Sequence, residues 1–267
     1  MTRTYGFPVD SARLKFERAI KHADELRLAL AKFRAAEPYK IGSLRRPDIP
    51  GVLFYYLAKA DEIPFDVPIV CGDILQNLRS ALDHLAGQLV YAAGNTPDRN
   101  TAFPVSDTGA KYKAESARKI QLMRRDAINS INATEPYKGG KGEAIWRLHR
   151  LNNIDKHNLI FTTFANVTAI DAFAHLAQFM PFLQPLADAG IILRPNKPNP
   201  LQEGSILWTT IDSGAAENPK FSIEVSFGEP GICEGEPVLL VVKDLAEAVD
   251  NVLKNFASLL YFDVGSP

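Results

Sequence analysis

The chain has 267 residues, of which 46% are hydrophobic and 23% are charged. This composition is typical of a globular protein with a sizeable core, and the length suits one large domain or two small ones. Thirty basic and 31 acidic residues give a formal net charge of -1. That balance excludes a strong overall electrostatic attraction to nucleic acid or to an anionic membrane.

Cysteine spacing and the polarity of the first residues predict the cellular compartment. Cys71 and Cys233 lie far apart without the spacing of a metal site, so we expect two buried thiols in a reducing environment. The opening sequence MTRTYGFPVD is too polar for a signal peptide, and no apolar run reaches the ~18 residues of a membrane span. We therefore expect a cytoplasmic protein without a membrane partner.

The first 165 residues show mainly helical periodicity. Proline and glycine mark the ends of the segments, and the turn RRPDIP separates two β-leaning runs that predict a hairpin. In chain order we predict a helix over 11–36, the hairpin over 39–60, a long helix over 67–93, helical segments near 111–133, a helix over 143–157 and a strand over 159–165.

The last hundred residues are richer in short β-strand patterns. We predict strands over 191–194, 205–212, 221–227 and 238–242, followed by an amphipathic helix over 244–262. The expected fold class is α+β, with a bundle of four to five helices packed against a mainly antiparallel sheet. We expect a single domain over 1–267, with the polar motifs in a helical part (67–157), then a β-rich part (158–242). The first and last helices should meet in one bundle.

The most informative segment is GDILQNLRSALDH, from Gly72 to His84. Its polar residues are not needed to form the helix, so they require another explanation. At about 100° per residue, four of them fall within an arc of roughly 60°: Asp73, Asn77, Ser80 and His84. This arc lies beside the apolar stripe of the helix, so we expect it to form one edge of a buried face. Arg79 projects from the opposite edge.

A second polar group lies on the predicted helix over 143–157. At the same rotation of about 100° per residue, five residues share a helix face roughly 100° wide: Trp146, His149, Arg150, Asn153 and His157. Two helices of one bundle can bring such edges together. We therefore predict a polar pocket in which His149, Asn153, His157, Trp146 and Ser80 surround the residues of the first segment.

Two stretches, GDILQNLRSALDHLAGQLVYAAG and LHRLNNIDKHNLI, resemble blocks of a widespread group of uncharacterised bacterial proteins, over about residues 70–160. The first stretch is also similar to the arginine-x4-6-histidine signature of the HEPN superfamily of all-helical domains. Arg79 and His84 match this signature, and Ser80 stands where the family often has Asn, Asp or His. The HEPN similarity covers about one helix, and the β-rich last third lies outside the usual HEPN pattern.

The HEPN resemblance implies a metal-independent endoribonuclease of a toxin or defence type, without a cofactor, that acts on RNA as a homodimer. His84 would then serve as the general acid or base, and Arg79 would stabilise charge on the phosphorane. Asn77 or Asp73 would orient the imidazole or the RNA backbone. A basic neighbourhood near these helices, formed by Lys119, Arg124, Arg125, Lys138 and Lys141, is a weak nucleic-acid surface and is typical of a solvated face.

Two other functions stay open from the sequence. Arg79 and Asp83 have the spacing of an intrahelical ion pair, and the amides and histidines can form a buried polar network that binds a small ligand or only fixes the packing. Alternatively, His84, His149 and His157 with an acid could hold the metal of a hydrolase. His149 and His157 are two helical turns apart, about 12 Å, which is far for ligands of one ion. We therefore assign no metal.

Overall fold

A computed structural model describes residues 9–158, 163–195, 200–212 and 218–260. These residues form eight α-helices and five β-strands, which confirms the α+β class. The helices are α1 (Val9–Ala35), α2 (Asp66–Ala92), α3 (Gly109–Ile120), α4 (Arg125–Ala133), α5 (Glu143–Asn158), α6 (Phe173–Ala177), α7 (Gln184–Asp188) and α8 (Val238–Leu260). The strands are β1 (Tyr39–Arg45), β2 (Val52–Ala60), β3 (Thr163–Asp171), β4 (Ile206–Ile211) and β5 (Lys220–Phe227).

The described residues group into two compact units. The first unit takes its residues from 1–27, 68–161 and 239–267, and the second takes them from 28–67 and 162–238. The helical part predicted over 67–157 thus belongs almost entirely to the first unit, and most of the predicted β-rich part belongs to the second. A single domain over 1–267 stays a prediction.

The core of the first unit is built by amphipathic helices. The apolar stripe of α2, which includes Ile74, Leu78 and Leu82, is fully buried. Helix α8 buries residues at helical spacing along its length, from Val241 to Phe256. The first and last helices meet as predicted, because Nη1 of Arg13 in α1 lies 2.6 Å from Oδ1 of Asp250 in α8.

All strand pairs of the second unit are antiparallel, as predicted, but they form two sheets rather than one. The hairpin of β1 and β2 continues into β4, and β3 pairs separately with β5. Side chains of both sheets share one apolar cluster, in which Leu207 and Trp208 of β4 pack against Val167 and Ile170 of β3. Two short sheets therefore form the core of this unit.

Several predicted elements differ from the structure. The strand predicted over 238–242 is wrong, because these residues are the first turns of α8. Residues 191–194 form no strand, and Leu193 makes only one bridge, to Ile170. Residues 159–162 of another predicted strand lie outside the described residues, and β3 begins at Thr163. The short helices α6 and α7 were not predicted.

The buried surface of the protein includes both cysteines and one stripe of each long helix. Cys71 and Cys233 are buried thiols, as expected. No helix among the described residues is long and apolar enough to cross a membrane. The long helices instead bury one stripe and expose the other, as helices of a packed bundle do.

Candidate functional site

Arg79 and Asp83 hold one residue of the loop between α2 and α3 by its backbone. Arg79 is only 7% exposed, and its Nη2 donates to the carbonyl oxygen of Phe103 at 2.9 Å. Oδ1 of Asp83 accepts the backbone N–H of Phe103 at 3.1 Å and lies 2.9 Å from Nη2 of Arg79. The predicted intrahelical ion pair is therefore confirmed. It also fixes the loop, since Phe103 is fully buried.

Three nitrogen-bearing side chains from three helices act on one another electrostatically, and we call them the basic cluster: Arg79 of α2, Lys119 of α3 and His149 of α5. Burial, followed by the charges of Arg79, Lys119 and Arg150, lowers the pKa of His149 to about 4, and only Asp107 opposes this shift. Burial and the charge of Arg79 lower the pKa of Lys119 as well, although the charges of Glu115 and Asp83 oppose this shift. Burial also lowers the pKa of Arg79, although Asp83 raises it. Positive charge in the cluster is thus incompletely compensated.

Two buried donors of the basic cluster have no acceptor among the described residues. Nδ2 of Asn153 lies 3.1 Å from Nε2 of His149, so the neutral imidazole accepts there and carries its proton on Nδ1. Nδ1 of His149 and Nη1 of Arg79 are both buried, and neither atom has a hydrogen-bond partner among the described residues. Buried polar groups are normally paired, because an unpaired one loses its hydration without compensation.

Asp107 forms one side of this region and joins α5 to the loop before α3. Its Oδ1 accepts from Nε1 of the buried Trp146 at 3.1 Å. Arg150 and Lys111 lie at 3.8 and 3.9 Å from its carboxylate. The hydrogen bond from Trp146, then the charges of these two residues, lower the pKa of Asp107. Trp146, His149, Arg150 and Asn153 therefore share one face, as predicted.

The predicted polar edge of α2 is not buried. Asp73 and His84 are exposed, and Asn77 and Ser80 are half-buried. Asn77 donates to the backbone oxygen of Asp73, and Ser80 lies 3.3 Å from Nε2 of Gln76, so both bind within their own helix. The expectation of a core edge formed by Asp73 and His84 is wrong, because the loop containing Phe103 covers the opposite edge, where Arg79 lies.

The carboxylate of Asp155 in α5 lies against Gly72 of α2. A Cβ atom added to Gly72 would lie 2.5 Å from Oδ1 of Asp155, so a larger residue here would require the carboxylate to shift. Burial, followed by the negative charge of Asp73, raises the pKa of Asp155. The two helices therefore converge as predicted, at Gly72 and at the basic cluster rather than at His84.

The structure does not describe the side chain of one predicted site residue, and it adds site residues that the helical pattern did not predict. His157 is at the end of α5, and its side chain lies outside the described residues. Sequence reasoning missed Asp107 and Phe103, and it treated Lys119 only as part of a surface. All three lie on other segments than α2 and α5, so no spacing connects them. Among the described residues, no group of three or more His, Cys, Asp or Glu could hold a metal ion.

Arg79 and His84, on which the HEPN resemblance rests, lie in different surroundings within one chain. Arg79 is buried and bound to Phe103, whereas His84, five residues later on α2, is exposed. Comparisons of the sequence with protein-family models and curated proteins, and of the fold with solved structures, find no match. The HEPN resemblance therefore stays a prediction.

Proposed function

We propose that the first unit binds an anionic ligand, through phosphate or carboxylate oxygens, at the basic cluster of Arg79, Lys119 and His149. One observation carries this proposal: Nη1 of Arg79 and Nδ1 of His149 are buried donors without an acceptor among the described residues. An anionic oxygen can accept from each of these donors and also compensates nearby positive charge. This develops the sequence-based alternative of a ligand-binding polar network.

The neighbouring acids leave the cluster electropositive. Asp83 already accepts from Phe103 and pairs with Arg79 through the same oxygen, and Asp107 is engaged by Trp146. Arg79 cannot lose its proton in ordinary conditions, and its planar group suits two oxygens of a phosphate or carboxylate. Lys119 adds a point charge on the neighbouring helix. These features support binding of an oxyanion rather than of a cation or an apolar molecule.

The test is calorimetric titration of the purified protein with inorganic phosphate at pH 7. Lys119→Met should weaken phosphate binding at least tenfold, since it removes one cation of the cluster without removing a hydrogen-bonded partner. The matched control is Lys113→Met, which makes the same charge change at an exposed position of α3. It should stay within about twofold of wild type, because exposed charges are screened.

Two results would contradict anion binding. One is wild-type protein that binds no phosphate up to about 10 mM, where the standard free energy would be weaker than about -3 kcal/mol. The other is an equal loss of phosphate affinity in Lys119→Met and Lys113→Met, which would indicate a general effect of net charge. Circular dichroism of each variant separates loss of binding from loss of the fold.

A second proposal is the HEPN-type ribonuclease, favoured by the exposure of His84 on α2. Because Arg79 is directed into its own unit, this activity would need a homodimer in which a second copy of α2 completes the site and RNA contacts His84. His84→Ala should then abolish RNA cleavage in EDTA, and Gln76→Ala, at another exposed position of α2, should retain it. A strictly monomeric protein, measured by sedimentation, would contradict this proposal.

Two further predictions from the sequence are a metal-dependent hydrolase and a cytoplasmic location. The metal-dependent hydrolase gains none from the described residues, which contain no cluster of three candidate ligands. We keep a cytoplasmic location as a proposal, supported by the two buried thiols, Cys71 and Cys233. A cytoplasm also supplies abundant phosphorylated ligands for the basic cluster.

A further inference from the structure

We propose that the basic cluster binds a doubly charged oxyanion of the phosphate or sulfate class together with one proton, which His149 takes up from solution. This inference rests on the proposed anion binding and specifies how the same site works. It predicts that a pH-dependent change of charge in the protein accompanies binding. The ligand is a phosphate monoester or a similar dianion, rather than a singly charged phosphodiester.

The surroundings of His149 favour the neutral imidazole as long as no anion is bound. Four charged groups act on it: Arg79 of α2, Lys119 of α3, Arg150 of its own helix, and Asp107 of the loop before α3. Three of these four groups are cationic. A dianion at the cluster would reverse the local excess of positive charge and would favour the imidazolium.

The hydrogen bonds of His149 allow both charge states. In the neutral state Nε2 accepts from the amide nitrogen of Asn153 at 3.1 Å. A proton from bulk solvent adds to the lone pair of Nε2, and rotation of the Asn153 amide then presents its oxygen to the new N–H. Nδ1–H donates to the anion throughout. An asparagine can serve both states because its amide both donates and accepts.

Binding and protonation are therefore linked. The pKa of His149 without a ligand is about 4, so the imidazole is neutral at pH 6. If the bound anion raises this pKa above 7, each lowering of the pH by one unit between 7 and 5 increases the affinity about tenfold. A cluster without a proton-accepting histidine would show no such increase for an anion of constant charge.

The experiment uses sulfate, because its charge does not change near neutral pH. Calorimetric titrations at pH 6 in buffers of different ionisation enthalpy give the number of protons taken up for each sulfate bound. We expect close to one for the wild type. His149→Gln should bind sulfate more weakly with uptake close to zero. Asn153→Asp places a carboxylate beside Nε2. This negative charge stabilises the imidazolium, so His149 takes its proton from solvent before sulfate binds, and the uptake on binding should fall well below that of the wild type.

The outcomes distinguish this inference from the proposed function. Sulfate and phosphate binding with no proton uptake would overturn the inference and leave anion binding standing. Undiminished uptake in His149→Gln would also overturn it, since the proton would then belong to another group. Absence of any binding to the wild type would overturn both. A near-ultraviolet dichroism spectrum checks that each variant retains packing around Trp146.

Discussion

Arg79 and Asp83 bind both backbone polar groups of Phe103, so two side chains one helical turn apart replace the pairing that a strand would give this loop residue. The two side chains differ in their exposure. Arg79 is 7% exposed, whereas the Asp83 side chain is 39% exposed. The carboxylate is therefore partly solvated, and the guanidinium depends on it for compensation.

Asp83→Asn tests this dependence. The amide oxygen can still accept from Phe103, but the buried guanidinium loses its adjacent negative charge. We expect a loss of about 2 kcal/mol in the free energy of unfolding, below the value for a fully buried pair because Asp83 is partly exposed. Urea unfolding, monitored by fluorescence, measures the loss.

The double variant Arg79→Met/Asp83→Asn is the control for this effect. It removes the uncompensated cation and replaces it with an apolar side chain of similar length, so we expect it to be more stable than the sum of the two single variants implies. Strict additivity of the three free energies would contradict an energetic coupling between Arg79 and Asp83.

The position of single residues was only partly predictable. Helical spacing correctly placed Arg79 and His84 on opposite edges of α2, and it correctly grouped His149 with Asn153. It could not tell which edge of α2 is covered, since this depends on a loop whose Phe103 lies 20 and 24 residues along the chain from Asp83 and Arg79. The apolar sequence around Phe103, which is followed by the buried Pro104 and Val105, was the available signal for the covering loop.

At the scale of elements, α2 and α5 approach closely because Gly72 has no side chain. Gly72→Ala would force a Cβ against the carboxylate of Asp155, and we expect it to lower the free energy of unfolding by about 1–2 kcal/mol. Gly87→Ala is the matched control in the same helix, because its Cβ would meet only Pro97 at an ordinary 3.8 Å. It should stabilise α2 by about 0.5–1 kcal/mol.

The cause of the Gly72 effect can be isolated in an Asp155→Ala background. Without the carboxylate, Gly72→Ala should become neutral or stabilising, since only the helical preference of alanine remains. Thermal unfolding of the single and double variants measures this change of sign. A destabilisation that persists in the Asp155→Ala background would show that another contact limits the crossing.

The long helices and the hairpin were predictable because each repeats one pattern over many residues. The helix predicted over 67–93 is α2, Asp66–Ala92, and the hairpin is β1 with β2. The failure at 238–242 has a physical cause: a short run of Val and Leu suits a strand as well as a helix. Val238, Val241, Val242 and Leu245 are buried at helical spacing, so packing along α8 decided the conformation.

At the scale of the whole molecule, the half-buried His149 makes stability depend on pH. Its pKa is about 4 in the folded chain and 6.5 when unperturbed. Between these values the unfolded chain binds more protons than the folded chain, so the free energy of unfolding falls as the pH falls. From pH 7 to pH 4.5 we expect His149 to account for about 2 kcal/mol of this loss.

His149→Gln should remove that part of the pH dependence. The chain has two tryptophans, and replacing Trp208 of the second unit by Phe leaves Trp146 of α5 as a reporter of the first unit. Urea unfolding at pH 7 and at pH 4.5 then gives the loss of unfolding free energy for each variant. His84→Gln, a change at an exposed histidine, is the control and should keep the wild-type dependence. An equal loss in His149→Gln and wild type would contradict the prediction.

The chain alternates between the two units, and the first unit draws its residues from three separated segments, the last of which contains α8. During synthesis on the ribosome, the second unit has all of its strands once β5 has emerged. The first unit must wait for α8, although α2 and its basic cluster were made much earlier. The apolar stripe of α2 therefore stays incompletely covered until translation is nearly finished. During this interval the chain exposes apolar surface that a chaperone would bind.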